Sequence, residues 1–129
     1  MSKKVAGSKV LYPDLSYRLM EAVYEVHNQL GPGLTEEIYE RALIIKFKTK
    51  EISFEQQKVI HVNYKGEKVG TYRLDLVVDD KIILELKAVQ ALSDLYKQQL
   101  LSYLKACNLH LGILINFGTK QVQYTRIAN

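Results

Sequence analysis

The chain has 129 residues, of which 47% are hydrophobic and 25% charged, values typical of one globular domain rather than of a disordered protein. No apolar run approaches the roughly 18 residues that a membrane-spanning helix needs, so we expect a soluble protein without a membrane partner. The single cysteine, Cys107, excludes an internal disulfide framework and fits a cytoplasmic location, and a net charge of +4 mildly favours a polyanionic partner.

The first part of the chain divides into a tail and a helix. Residues 1–12 are basic and lack the apolar centre of a secretory signal, so the sequence predicts a flexible N-terminal tail. A single domain is predicted over residues 13–129. Asp14 is a candidate cap for a helix that extends to about Gln29, with apolar residues at helical spacing. The glycines and proline of Gly31–Gly33 then end this helix.

A second predicted helix begins directly after that break. Thr35 is a suitable N-cap, and Leu34 and Tyr39 have the spacing of a hydrophobic staple. Glu36 and Glu37 lie in the first turn, where the helix dipole favours acidic groups. This interaction with the helix dipole is by itself enough to explain why an acidic residue occurs at either position.

The rest of the chain alternates between extended and helical patterns. Three strands joined by short turns are followed by a helix that Ser93 caps, and this helix allows the next strand to return beside the first three. The predicted element order is therefore α-α-β-β-β-α-β-β, an α/β fold with a mixed sheet flanked by helices. The predicted ranges after the second helix are 54–64, 69–78, 81–88, 93–106, 111–117 and 121–127.

A β-hairpin over residues 72–87 carries a charged cluster. Its two apolar runs are separated by the three turn residues 79–81, and this odd loop length places Asp75 directly opposite Glu85, with Lys87 two residues further along. Only this register separates polar from apolar side chains. The predicted apolar face consists of Leu74, Leu76, Val78, Ile82, Leu84 and Leu86.

The two facing carboxylates call for a cation. Asp75 and Glu85 would repel each other, and partial burial makes their ionisation costly. One interpretation is an ordinary ion pair with Lys87 on a solvated face. The other is a divalent metal held by both carboxylates and the backbone carbonyl of Leu86, because Mg²⁺ takes oxygen ligands and keeps several waters. Lys87 would then lie beside an attacking water, and the hairpin pattern leaves both interpretations open.

The sequence resembles a known nuclease core. Asp75, followed after nine residues by Glu85-Leu86-Lys87, is similar to the PD-(D/E)xK motif, and Gly33–Tyr39 matches the pattern that names the GxxExxY protein family, usually placed in that superfamily. The resemblance implies a restriction-endonuclease-like core. It implies Asp75 and Glu85 as ligands of Mg²⁺ or Mn²⁺ and Lys87 as the group that orients or activates water.

The resemblance also implies roles for helical residues. Glu36 matches the helical acid that many members add to the site. Gln99 and Tyr103 match a glutamine and a tyrosine, four residues apart, of RecB-type nucleases. Two positions depart from the pattern, since Tyr96 stands where relatives often carry histidine and Leu74 stands where a proline commonly precedes the metal aspartate.

The implied function is a metal-dependent nuclease, a hydrolase of phosphodiester bonds whose partner is nucleic acid, with DNA as the first expectation. The alternative is a catalytically inactive module of the same fold that binds nucleic acid or serves as an adaptor. A third hypothesis is a structural homodimer, in which a second copy covers the sheet edge beside the final strand.

Other histidines and aromatic residues receive structural interpretations. The three histidines have no mutual metal spacing and are predicted to be plain surface or strand residues: His27, His61 and His110. Three tyrosines occupy helical positions that favour core packing over base stacking: Tyr17, Tyr24 and Tyr39.

Overall fold

The computed structural model describes residues 11–129, so most of the predicted N-terminal tail lies outside the described residues. Its helices and strands follow the predicted order. They are α1 (Pro13–Leu30), α2 (Glu36–Thr49), β1 (Phe54–Tyr64), β2 (Glu67–Val78), β3 (Ile82–Lys87), α3 (Asp94–Cys107), β4 (Leu111–Asn116) and β5 (Gln123–Ala128). Within this part of the chain, no helix is long and apolar enough to span a membrane.

All five strands form one mixed sheet in the order β1-β2-β3-β4-β5. The central pair, β3 and β4, is parallel, whereas the other neighbours are antiparallel. Parallel neighbours need a long crossover, which α3 provides between them. The mixed sheet predicted from the sequence is therefore confirmed, and β1 and β5 are its edges.

Helices cover both faces of the sheet and create two apolar cores. The larger core joins α1 and α2 to one face and includes Leu19, Val23, Tyr39, Leu43, Phe47, Leu76, Leu84, Ile113 and Phe117. The smaller core joins α3 to the opposite face and includes Ile60, Leu74, Val77, Ile83, Leu100, Tyr103, Leu104 and Leu114. This arrangement buries β3 and β4 almost completely, as expected for a parallel pair at the centre of a sheet.

The predicted register of the hairpin is confirmed, because Val78 pairs with Ile82 across the three-residue turn. One face assignment is wrong. Leu74 packs in the smaller core rather than beside Leu76 in the larger one. On the neighbouring strand, Gln57 has a left-handed backbone (φ 54°) and is not paired with β2, although the β1–β2 register is the same on either side of it. The irregular backbone thus lies opposite the point between Leu74 and Leu76 at which strict alternation of side chains fails.

The predicted helix caps are partly confirmed. Thr35 and Ser93 are the N-caps of α2 and α3, as predicted. Asp14 is not a cap, because α1 begins at Pro13 after Tyr12, and Asp14 lies in the first turn. Proline has a fixed φ and no N–H, which makes it well suited to the first helical position.

Two of the three tyrosine predictions are wrong. Tyr17 and Tyr24 are 70% and 42% exposed, whereas Tyr39 is buried as expected. The buried stripe of α1 includes Leu19 and Val23, and neither exposed tyrosine falls on it. Helical spacing alone did not decide which face of α1 would be covered.

His27 is buried instead of lying on the surface or in a strand. Only 6% of it is exposed, and its Nε2 lies 2.9 Å from the carbonyl oxygen of Thr119. It follows Val23 by one helical turn and therefore continues the buried stripe of α1. Its ring also stacks near Phe117, so its role is structural.

Candidate active site

The candidate site lies where β2 and β3 separate. Their backbone pairing ends at Leu76 and Leu84, and beyond that point two side chains take over the hydrogen bonds. Leu86 donates its backbone N–H to Oδ2 of Asp75 over 2.8 Å. Asp75 donates its own N–H to Oε1 of Glu85 over 3.3 Å. The carboxylates of Asp75 and Glu85 are thus brought together at the mouth of the hairpin.

Burial disfavours the ionised forms of both carboxylates. Glu85 is only 8% exposed, and burial, followed by the negative charge of Asp75, raises the pKa of Glu85 to about 8. Burial also raises the pKa of Asp75, although the Leu86 N–H opposes this shift. A cation placed between the two groups would favour their ionised forms.

Lys87 does not supply that cation through an ion pair. Its Nζ lies 4.4 Å from the centroid of the Tyr96 ring. Among residues 11–129, no salt bridge joins Lys87 to a carboxylate. The interpretation of the cluster as an ordinary Lys87 ion pair is therefore wrong, although the Lys87 charge still lowers the pKa of Asp75 and of Glu85. Tyr96, in the position where histidine was expected, holds the ammonium against its aromatic face.

Helix α2 adds two acidic side chains on one face. Glu36 is exposed, and its Oε2 accepts the backbone N–H of Ala88 over 3.3 Å, which links the start of α2 to the end of β3. Glu40, one turn later, is buried. The negative charges of Glu40 and Glu36 both contribute to the raised pKa of Asp75. The predicted proximity of Glu36 to the pair is therefore present in the structure.

Glu40 is a site residue that the sequence analysis missed. Its carboxylate accepts hydrogen bonds from Nε2 of Gln56 (2.8 Å) and Nε2 of Gln57 (3.0 Å) on β1. A cavity of about 330 Å³ lies between these elements, and its lining includes Glu36, Glu40, Gln56, Gln57 and Asp75. The only sequence signal was the four-residue spacing from Glu36, which places both acids on one helix face.

Of the two predicted site residues on α3, Tyr103 lies beside the carboxylate pair and Gln99 faces solvent. Tyr103 is buried, and its ring centroid lies 4.8 Å from that of Tyr72. Burial, and then the charge of Glu85, raises the pKa of Tyr103 to about 12, so its hydroxyl stays protonated. Gln99 lies one turn earlier and is exposed, and its side chain forms no hydrogen bond within the described part of the chain.

Asn116 fixes the chain just after Lys87 and was also missed. It is fully buried, and its Oδ1 accepts the N–H groups of Val89 and Gly118, each over 2.9 Å. Its Nδ2 donates to the carbonyl of Val89 over 2.9 Å. Phe117 in turn donates its N–H to the carbonyl of Lys87 over 2.8 Å. A polar residue inside the apolar run 111–117 was the available signal.

The donor atoms at the hairpin mouth fit a hard divalent cation. Asp75 and Glu85 provide carboxylate oxygens, and the Leu86 carbonyl projects to the same side of β3 as its N–H, which points to Asp75. No group of three or more His, Cys, Asp or Glu side chains in residues 11–129 is arranged to hold a metal ion. The oxygen donors of Asp75, Glu85 and Leu86 suit a hard divalent cation that keeps several waters.

Comparison with known proteins agrees with the fold. Residues 13–127 match the PD-(D/E)XK nuclease superfamily. The fold is similar to that in the crystal structure of SSO0001, with a TM-score of 0.54 and 22% sequence identity. The similarity covers 92% of this chain and 57% of that chain. The fold is also similar to that of an alkaline exonuclease from Laribacter hongkongensis, LHK-Exo, with a TM-score of 0.53 and 12% sequence identity. This similarity covers 100% of this chain and 72% of the exonuclease chain. No protein among those with curated descriptions matches.

The family match extends over most of the chain, so this protein belongs to the PD-(D/E)XK nuclease superfamily. At these identities, the similarity to solved structures shows the fold alone. The fold is the predicted one, an α/β restriction-endonuclease-like core with a mixed sheet flanked by helices.

Proposed function

We propose that this chain is a metal-dependent nuclease that hydrolyses phosphodiester bonds in nucleic acid, with DNA as the first substrate to test. The observation that carries the proposal is the pair formed by Asp75 and Glu85, whose carboxylates are buried together without an ion-paired lysine or arginine in the described part of the chain. An unpaired and buried pair of carboxylates destabilises the folded protein. The pair is explained if it binds a cation that in turn binds a substrate phosphate.

Each residue of the site has a proposed role. Asp75, Glu85 and the carbonyl of Leu86 would hold Mg²⁺ or Mn²⁺, which when bound would neutralise charge on the phosphate and lower the pKa of a water. Lys87 orients the attacking water and stabilises charge that develops on the phosphate oxygens, since its Nζ is held by an aromatic ring and forms no salt bridge with a carboxylate of residues 11–129. Glu36 helps to hold the ion or its waters from the α2 side.

Two residues of α3 complete the proposed site. Tyr103 presents a protonated hydroxyl close to the carboxylate pair, so it acts as a hydrogen-bond donor to substrate. Gln99 lies on the same helix face, exposed to solvent, where its amide contacts the sugar-phosphate backbone.

The GxxExxY pattern supports the finer assignment to that family, because its three named positions have structural uses near the site. Gly33 has a left-handed backbone (φ 104°), which glycine adopts without strain. Tyr39 donates its hydroxyl hydrogen to the carbonyl of Gly31 and accepts the N–H of Leu34, which fixes the start of α2. This start positions Glu36 against the end of β3.

The second candidate is a module of the same fold that binds nucleic acid or serves as an adaptor without useful catalysis. The observation on its side is the small number of ligands, since no three acidic or histidine side chains in residues 11–129 form a metal-binding group. Such a module needs phosphate contacts but no metal.

Calorimetric titration with Mn²⁺ separates these candidates. Wild type should bind the ion, and Asp75→Asn should bind it much more weakly, because the variant loses one anionic ligand. The matched control is Asp79→Asn, which removes an exposed carboxylate in the hairpin turn and should leave affinity unchanged. Equal affinity in wild type and Asp75→Asn would remove the proposed metal site.

Cleavage is measured in parallel on single-stranded and double-stranded DNA and RNA. Lys87→Ala should bind Mn²⁺ but lose turnover by a factor of about 100 or more, as expected for loss of a group that acts in the transition state. Undiminished turnover in the purified variant would exclude the role of Lys87. Metal binding without cleavage of any substrate would favour the adaptor.

A further inference from the structure

Tyr72 is an aromatic residue beside the site that neither the sequence motifs nor the proposed mechanism uses. It lies on β2, three residues before Asp75, and is 45% exposed. Three residues of extended strand span about 10 Å, so the ring stands close to the carboxylate pair. It shares the α3 side of the sheet with Tyr103.

The ring of Tyr72 is held on one side and open on the other. It packs against the buried ring of Tyr103 at a centroid distance of 4.8 Å and an interplanar angle of 52°. Its strand partner Ile60 is also buried in the core beneath α3. A side chain that is already ordered loses little conformational entropy when a flat ligand stacks on it.

Charge around Tyr72 suits a polyanion. The ammonium group of Lys87 lies over the Tyr96 ring of α3. Continued past Leu76 and Leu84, the β2–β3 register places Lys87 at the same end of the carboxylate pair as Tyr72. The neighbouring Arg73 is also exposed, but side chains alternate along a strand, so it projects to the opposite face of β2 from Tyr72. A strand of nucleic acid that enters at this end from the α3 side would therefore meet the ammonium group of Lys87 and the open ring of Tyr72.

We propose that Tyr72 is the stacking platform for an unpaired base next to the phosphodiester that enters the site, so that the substrate is a single strand or a frayed end. This inference rests on the proposed function, because it places the base relative to that site. Bases inside a duplex already have both faces stacked, whereas an unpaired base offers a free face to an aromatic side chain.

The test measures binding without metal, so that cleavage does not interfere. A labelled single strand and a blunt duplex of the same sequence are titrated in EDTA, and fluorescence anisotropy gives Kd. Tyr72→Ala should weaken single-strand binding about 10-fold, within the range that loss of one base-stacking contact causes, and should leave duplex binding unchanged. Tyr72→Phe keeps the ring and should bind like wild type. Unchanged single-strand affinity in Tyr72→Ala overturns the proposal, as does an equal loss on both substrates.

Two controls separate stacking from packing. Tyr72→Leu still covers Tyr103 but offers no aromatic face, so it should bind single strands as weakly as Tyr72→Ala. Wild-type affinity in this variant overturns the proposal. A strand with abasic sites should bind wild type and Tyr72→Ala equally, because the base that would stack is missing.

Salt dependence gives an independent readout. Stacking releases no counterions, so Tyr72→Ala should keep the wild-type slope of log K against log salt concentration, whereas Lys87→Gln, which removes the cation on the α3 side, should reduce that slope by about one unit. A slope that falls in Tyr72→Ala overturns the stacking role.

Failure of this inference is distinguishable from failure of the proposed function. Metal-dependent cleavage by wild type together with normal single-strand binding by Tyr72→Ala would support the nuclease function and reject the stacking role of Tyr72. Absence of cleavage together with a 10-fold binding loss would retain the platform in a binding module. If wild type binds neither substrate in EDTA, the platform is excluded.

Discussion

The Nζ of Lys87 lies 4.4 Å from the centroid of the Tyr96 ring, so an aromatic face holds the ammonium that a carboxylate would otherwise hold. Such a contact is worth roughly 0.5–2 kcal/mol and leaves the charge of the lysine available to a substrate phosphate. The position of Tyr96 in the first turn of α3 therefore couples the helix to the end of β3.

Tyr96→Leu should lower kcat several-fold with little change in KM, because the variant loses the contact that positions Lys87. Tyr96→Phe keeps the ring and should retain most of the wild-type rate. Steady-state cleavage assays would measure both variants, with Tyr124→Leu on the exposed part of β5 as the control. Equal rates for the Leu and Phe variants would show that the ring does not position Lys87.

Glu85 should make the metal-free protein less stable as pH rises. Its pKa is about 8 in the folded protein and 4.5 in the reference state, so between these values the folded state binds more protons than the unfolded state. The free energy of unfolding should therefore fall with rising pH across this window, by up to about 1.4 kcal/mol per pH unit, and the stabilisation should be complete below the lower value.

Urea unfolding in EDTA at several pH values would measure this slope. Glu85→Gln should flatten it, since the variant has no titrating group at this position. Glu37→Gln, which alters an exposed partner of Arg41, should keep the wild-type slope. A wild-type slope in Glu85→Gln would assign the pH dependence to other groups.

Asn116→Ala should destabilise the protein by about 3 kcal/mol, because it leaves partly buried backbone groups of Val89 and Gly118 without their hydrogen-bond partner. Chemical denaturation would measure the loss. Asn63→Ala, an exposed change on β1, should cost less than about 0.5 kcal/mol. A loss of that small size in Asn116→Ala would mean that water replaces the amide.

Gly118→Ala should also destabilise the fold, since an added Cβ would lie 2.5 Å from both the backbone N and O of Val89. Separating these segments should cost about 1–3 kcal/mol, as overpacking does elsewhere. Gly70→Ala is the matched control, because no atom in the described part of the chain lies within 4 Å of a Cβ at that position. Comparison of the two melting temperatures would test the prediction, and equal values would contradict it.

The hairpin was predictable because its information is local. Alternating apolar residues and a three-residue turn admit one register that buries an apolar face, and Val78 and Ile82 pair accordingly. Helix order and the crossover followed from periodicity and from the need to join parallel strands through a helix. The roles assigned to Asp75, Glu85 and Lys87 stay predictions until the variants are measured.

The missed features depend on contacts between distant segments. Leu74 joins the smaller core opposite the left-handed backbone of Gln57, and glutamine gives no local signal for that conformation. Glu40 is buried because β1 provides two amides to it, and no pattern within α2 reveals those partners. The exposure of Tyr17 likewise reflects which face of α1 meets the sheet.

The unequal strand lengths have a dynamic consequence. β1 and β2 have 11 and 12 residues, whereas β3 has six and pairs with β2 only through residues 76–78. Within residues 11–129, most of the β1–β2 ribbon therefore has no third strand beside it, and its amides should exchange with deuterium by local opening well before those of β3 and β4. Asp75 lies at the boundary between the segment whose amides should exchange slowly and the ribbon whose amides should exchange fast. Bending of the ribbon would change the separation of Asp75 from Glu85 while the centre of the sheet stays folded.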